Sequence, residues 1–324
     1  MCYASTSIGS KLVPATPEIL SHLYKSACLP KLCYGVETMD ISDKTLDSME
    51  AFHVKNAKLF QGLLPNACNI GSLLLIGWCT ISARIDISRL LFMWRILTLP
   101  MDCIYKCILI RRILQLTDDN AKREGKGPVY KMVQICSKYN LLEFVLECIT
   151  CADYLNVKQW KRMVYDVVLR NDKKRLNVSS MMYKSLGRIK NNVTTHTMIG
   201  WWKHAKYVPT HVRYCRIVIN LLLNTYRLGR ENCKLCLTSQ RNSIEHILFV
   251  CPKLQETREV QLQKVRDCNP KCLVNEINDM CIPERTRFIL NAFYCNYVTE
   301  WMELYKNVLN FINITLNQYH TLNV

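Results

Sequence analysis

A mainly α-helical fold, an irregular array of helices carrying one small CCHC zinc knuckle near the C-terminus, is what this 324-residue sequence predicts. Three observations carry that expectation. Apolar residues recur at helical spacing in stretches opened by capping residues and closed by proline or glycine. No run alternates apolar and polar residues as a half-buried strand would, and no repeat or low-complexity tract interrupts the chain. Late in the sequence, three cysteines and a histidine fall at metal-ligand spacing. With 49% hydrophobic residues, the chain can bury a core and is not disordered by composition.

Thr16-Pro17-Glu18 opens the first helix. It supplies a hydroxyl at the N-cap, a proline where the missing N–H is not needed, and a carboxylate facing the positive end of the helix. Pro30 is expected to stop this helix. A second starts after Ser42, with Leu46, Met49, His53, Phe60 and Leu63 on one stripe and Gly62 near its end. His53 reads there as a packed or half-exposed helix residue, not a ligand. A third follows Thr80, turns Ile81, Ile85, Phe92 and Leu97 inward, and ends before Pro100. Residues 117–128, TDDNAKREGKGP, read as a polar linker. Helices resume at Pro128 and again across 158–170, 211–227, 253–266 and 284–312.

The ligand set is Cys233, Cys236, His246 and Cys251, in the pattern C-x2-C-x9-H-x4-C. Three thiolates and one imidazole make a closed tetrahedral zinc site, and such a site folds a short segment that lacks a core of its own. The competing reading is four incidental residues in a chain with 18 Cys and 7 His. Composition yields a C-x2-C by chance, as at Cys148 and Cys151, but seldom one continued by a spaced H-x4-C. Cys103-x3-Cys107 and Cys268-x3-Cys272 have helical spacing without a histidine nearby and read as core or surface cysteines.

The formal charge of +17 is uneven. Residues 155–235 hold 17 Lys and Arg against Asp166, Asp172 and Glu231, whereas residues 1–60 and 236–324 are each balanced. So local an asymmetry points to phosphates as partners. The candidate contacts are Lys158, Lys161, Arg162, Lys173, Lys174, Arg175, Arg188 and Lys190. The aromatic residues of this stretch, Trp160, Trp201, Trp202, Tyr207, Tyr214 and Tyr226, are expected to be buried, not to stack on bases.

Residues 1–20 lack the continuous apolar core of a signal peptide, and Arg84, Arg89 and Arg95 break the most hydrophobic stretch before it could span a bilayer. The expected setting is therefore intracellular, nuclear or cytoplasmic, with reduced thiols and without membrane contact. The sequons at Asn177, Asn192 and Asn313 carry no meaning there.

From Arg216 the chain reads RIVINLLLNTYRLGRENCKLCLTSQRNSIEHILFVCPKLQETRE. An arginine-bearing helix, a C-x2-C, then E-H-x-L-x-x-C-P-x-L with a trailing arginine resembles the zinc-binding region of non-LTR (LINE-type) retrotransposon reverse transcriptases. Glu245, Pro252 and Arg258 match positions that flank the ligands in that family. Leu237 stands where the family often has glycine, and the gap before His246 is slightly long. Upstream, LSHLYKSACLPKLCYGVE at residues 20–37 is similar to the segment that follows the family's polymerase palm, and residues 46–100 to the next stretch. The likeness is weak between residues 115 and 200.

The resemblance implies a thumb-like helical region over 1–116, a linker at 117–128, a basic helical linker region over 129–215, a zinc-binding region over 216–262 and a helical tail over 263–324. It implies zinc as cofactor and RNA or DNA as partner, with no small-molecule substrate. Family polymerases hold two magnesium ions on palm carboxylates, one pair within a Tyr-x-Asp-Asp or Phe-x-Asp-Asp turn. The one Asp-Asp pair of this chain, Asp118-Asp119, falls in the polar linker instead. The expectation is a truncated fragment without catalytic residues that binds nucleic acid with the help of zinc. One alternative is a helical protein-interaction module with a purely structural zinc site. Another is a decayed open reading frame without selected function.

Overall fold

A computed structural model of the chain describes residues 15–117, 126–189, 197–226, 228, 232, 233, 235, 236, 242–268, 279–291 and 302–322. Among them the protein is mainly helical, and no strand is formed. Its α-helices are α1 (Pro17–Leu23), α2 (Leu29–Leu32), α3 (Asp43–Gln61), α4 (Asn69–Ile76), α5 (Ile81–Leu97), α6 (Ile104–Thr117) and α7 (Pro128–Lys138). They continue as α8 (Leu142–Cys151), α9 (Val157–Met181), α10 (Gly200–Tyr207), α11 (Val212–Leu222), α12 (Gln255–Asp267), α13 (Ile282–Leu290) and α14 (Met302–Leu322).

Three of the expected starts carry the expected caps, beginning with the Thr16 hydroxyl, which accepts the Ile19 N–H at 3.4 Å in α1. The Ser42 hydroxyl accepts the Thr45 N–H at 3.2 Å ahead of α3, and the Thr80 hydroxyl accepts the Ala83 N–H at 3.3 Å in α5. Gly62 follows α3 with φ of +66°, and a Cβ there would lie 2.9 Å from the Arg216 guanidinium, so both conformation and space call for glycine. Pro30 does not end helical structure. A π-helical turn, Tyr24–Cys28, hands over to α2, where Pro30 sits in the first turn and no N–H is missed. The single helix expected over 284–312 stops at Leu290. Asn291 caps it by donating its side-chain amide to the Arg188 carbonyl at 2.7 Å and again to the Arg287 carbonyl. Most of the 117–128 linker, Asp118 and Asp119 included, lies outside the described residues.

The chain packs as two compact units that cut across sequence order. One comprises Tyr24–Lys55 and Cys79–Leu176. Its core centres on Trp94 and Trp160, stacked with ring centroids 4.0 Å apart. Each indole N–H is satisfied by a carbonyl, that of Leu155 for Trp94 and that of Leu90 for Trp160. The start of α5 is held by Asp172 of α9, which accepts from the Thr80 backbone N–H at 3.1 Å and its hydroxyl at 2.6 Å. The other unit comprises the residues before Tyr24, Asn56–Trp78 and everything from Asn177 onward. There α14 packs along α12, with Trp201, Trp202, Tyr305 and Ile312 among the buried side chains.

Of the two readings open for His53, packed or half-exposed, the structure gives the packed one. His53 is 2% exposed, with Nδ1 2.9 Å from the Tyr24 hydroxyl and Nε2 3.0 Å from the Cys79 carbonyl. A carbonyl only accepts, so Nε2 carries the proton and Nδ1 accepts from the tyrosine. Burial holds this imidazole down at about 4, against an upward pull from the Cys79 carbonyl. The unfolded chain thus takes up a proton below about pH 6.5 that the folded chain refuses until about pH 4. Stability is full above that window and falls as pH drops through it, by roughly 3 kcal/mol from this group. His53→Gln is expected to flatten that part of a urea-denaturation pH series. An equally steep series in the variant would place the dependence elsewhere.

Candidate metal centre and basic helix

Cys233 and Cys236 lie between α11 and α12, and His246 opens a π-helical turn, His246–Val250. Cys251 follows directly, and Pro252 then starts a short 3-10 turn, Pro252–Leu254. Ile247 and Leu248, both fully buried, anchor this turn in the core shared with α14. The turn is fixed by the Ser243 hydroxyl accepting the His246 N–H at 3.1 Å and by Cys251 N–H donating to the His246 carbonyl at 2.7 Å.

These local restraints bring the four expected ligands together. One ligand atom from each of Cys233, Cys236, His246 and Cys251 lies within 4.8 Å of all the others. Cys233 Sγ and Cys251 Sγ are 4.0 Å apart, and Cys236 Sγ lies 3.4 Å from His246 Nε2. In a tetrahedral zinc site, bond lengths imply sulfur–sulfur edges of about 3.8 Å and sulfur–nitrogen edges of about 3.5 Å. The donor set and its spacing therefore fit a metal ion of zinc's size and preference.

Charge around the cluster favours the same occupant. Burial raises the Cys251 thiol to about 11, the neighbouring Cys233 and Cys236 thiols add to this, and a backbone hydrogen bond at Lys253 opposes it. Burial, and then the nearby Arg258 guanidinium, lower the His246 imidazole, which keeps it in the neutral form a metal takes. The Cys251 thiol holds its proton when alone, and a bound cation would displace it.

Glu245 and Arg258, singled out by their flanking positions, have structural work to do. Arg258 donates to the Phe249 carbonyl at 2.8 Å and the Cys251 carbonyl at 2.5 Å, clamping the turn that bears two ligands. Glu245 accepts from Arg188 at 2.9 Å. Burial alone would raise the Glu245 carboxyl, but backbone hydrogen bonding and the Arg188 charge outweigh it and hold it below its ordinary range. This pair stabilises above the usual carboxylate range, and the contribution is lost as pH falls through the lowered value. Arg188→Met is accordingly expected to lose stability at pH 7 and much less of it below pH 4, as read by denaturant midpoint at each pH. A loss of equal size at both pH values would mean that packing, not charge, is what Arg188 supplies.

The other candidate phosphate contacts separate into two groups. Lys158, Lys161, Arg162 and Lys174 are exposed on α9 and make no salt bridge among the described residues. Lys173 is half-buried, and Arg175 is held by Asp172 and Thr80, each at 3.0 Å. Arg188 is engaged with Glu245, the Leu221 carbonyl and Asn224, so it supports the fold next to the metal ligands. Lys190 lies outside the described residues. Trp160, Trp201 and Trp202 are fully buried as expected, but Tyr207 and Tyr214 are not, at 53% and 39% exposure.

No single helix among the described residues is long and apolar enough to cross a membrane. The Asn313 side chain is buried and donates to the Leu309 carbonyl at 2.7 Å, which hides that sequon from modification. Compared with protein-family models, with characterised proteins and with solved structures, the chain finds no match.

Proposed function

We propose that this protein is a zinc-dependent binder of single-stranded RNA or DNA, related to the region that follows the palm in non-LTR retrotransposon reverse transcriptases. The observation that carries the reading is the convergence of Cys233, Cys236, His246 and Cys251 on one tetrahedron-sized cluster, because the resemblance rests on those residues. The zinc would be structural: three thiolates and one imidazole fill its coordination and leave no open position for substrate. Lys158, Lys161, Arg162 and Lys174 supply exposed positive charge on one helix, available to phosphates.

Binding of single-stranded oligonucleotides across a salt series tests this. Removing one phosphate-binding side chain should reduce the slope of log affinity against log salt by roughly 0.7. Joint replacement of Lys158, Lys161, Arg162 and Lys174 by alanine is expected to weaken binding and flatten its salt dependence together. Unaltered affinity and slope would make this charge a solvated surface. A second reading, a protein-interaction module, would then take over, and α6 favours it by exposing Ile104, Tyr105 and Ile108.

The protein is not expected to polymerise. Catalysis needs clustered carboxylates to hold two metal ions, and the sequence offers one adjacent pair within a polar stretch. Primer extension on an RNA template should give no product above background. Extension abolished by Asp118→Asn with Asp119→Asn would overturn this.

A further inference from the structure

A cleft of about 650 Å³ opens in the unit that carries the metal ligands, within the size range of small-molecule sites, roughly 300–1,000 Å³. Three chain segments far apart in sequence build it: the loop leading into α4, Tyr183 just after α9, and the turn after α11. Ala67 and Leu223 are buried and Ile70 half-buried, giving the cleft an apolar floor. Its polar lining is uncharged, with the carboxamides of Asn66, Asn69 and Asn224 and no carboxylate, lysine or arginine. The Asn224 oxygen accepts from Arg188 at 3.1 Å, which leaves its NH2 group to donate. Tyr183 stands on extended backbone with 49% of its surface exposed, a ring held out at the mouth.

Charge lies beside the cleft instead of inside it. Lys184 follows Tyr183 and is exposed. Lys58 donates to the Pro65 carbonyl at 2.7 Å, which fixes an ammonium beside the loop that forms one wall. A free anion, a metal ion or a zwitterion would need opposite charge within the lining, and none is there. A neutral planar heterocycle with donors and acceptors on its edge, attached to an anionic chain, satisfies every part. Carboxamides pair with such edges, and tyrosine rings stack on unpaired bases.

We propose that this cleft takes one unstacked nucleobase of a single-stranded RNA or DNA, stacked on Tyr183 and hydrogen-bonded by Asn66, Asn69 and Asn224. The strand's phosphates lie toward Lys58 and Lys184. This rests on the single-strand binding proposed above and adds to it a site that reads bases, where α9 offers charge alone.

The test uses the zinc-loaded full chain with oligo-U, oligo-dU, oligo-dT and an abasic strand of equal length, with affinity measured across a salt series. Tyr183→Ala is expected to weaken binding of the base-bearing strands about tenfold, the loss typical of one stacked base. The salt slope should stay as in the unaltered protein, because every phosphate-binding side chain remains in place. Tyr183→Phe should retain the affinity, and Asn69→Trp, which fills the cleft from an exposed position, should lower it as Tyr183→Ala does. A higher affinity for oligo-U than for both oligo-dT and oligo-dU would assign the strand as RNA through its 2′-hydroxyl, and the reverse as DNA. Wild-type affinity in both Tyr183→Ala and Asn69→Trp, or equal binding of the abasic strand, overturns the cleft and leaves single-strand binding standing. Failure of the unaltered protein to bind any strand removes both.

Discussion

Replacing Cys236 by serine is expected to take bound zinc from one per chain to near zero and to unfold the segment that carries the ligands. Zinc binding in small CCHC-type segments supplies about 10–16 kcal/mol at pH 7, and this is folding free energy because no formed site exists in the unfolded segment. The apolar anchor is the smaller contribution. Ile247 and Leu248 are fully buried, and each such side chain stabilises by about 1.5–3 kcal/mol. Metal is therefore expected to decide the local fold, while α12 and α14 retain their own contacts. Elemental analysis checks the stoichiometry, and hydrogen exchange at Ile247–Cys251 checks the unfolding. Zinc content that survives in the variant, or protection of these amides in metal-free protein, would overturn the assignment.

The metal cluster is legible in the sequence because its ligands are local. C-x2-C and H-x4-C each place two donors within a turn or so, and one short approach completes the set. Caps are legible for the same reason, as Ser42 and Thr80 act on N–H groups three residues away. What escapes depends on distant partners or lacks a periodic signal. Every residue from Gly71 to Ile76 in α4 is buried, so the helix has no polar face and shows no stripe. Arg188 reads as a phosphate contact because sequence shows its charge but not Glu245, which lies 57 positions away. The cleft is invisible on the same ground, since Asn69, Tyr183 and Asn224 meet only through tertiary packing. Exposure of Tyr207 and Tyr214 contradicts a rule that holds on average but does not specify which face of a helix is covered.

Trp160→Ala is expected to lower stability by about 3–5 kcal/mol, the range for removing a large buried aromatic side chain. The Trp160 side chain has no exposure, and its ring stacks on Trp94 at 4.0 Å and lies within 6.2 Å of Phe144. Truncation leaves a void among these rings and also removes the bond that the indole N–H donates to the Leu90 carbonyl at 3.1 Å, a carbonyl that keeps its place in the α5 helix. The flat three-ring stack cannot close over such a gap without shifting α5 or α8, so the cost should lie at the upper end of that range. All of these contacts belong to the unit formed by Tyr24–Lys55 and Cys79–Leu176, whereas the metal ligands belong to the other. Chemical denaturation of the zinc-loaded variant should therefore show the loss, while elemental analysis still finds one zinc per chain. Trp160→Phe keeps most of the stacked surface and should recover most of the difference, leaving the cost of the lost indole hydrogen bond. A fall in zinc content alongside stability would mean that the two units fold as one, and their separate cores would not be energetically separate.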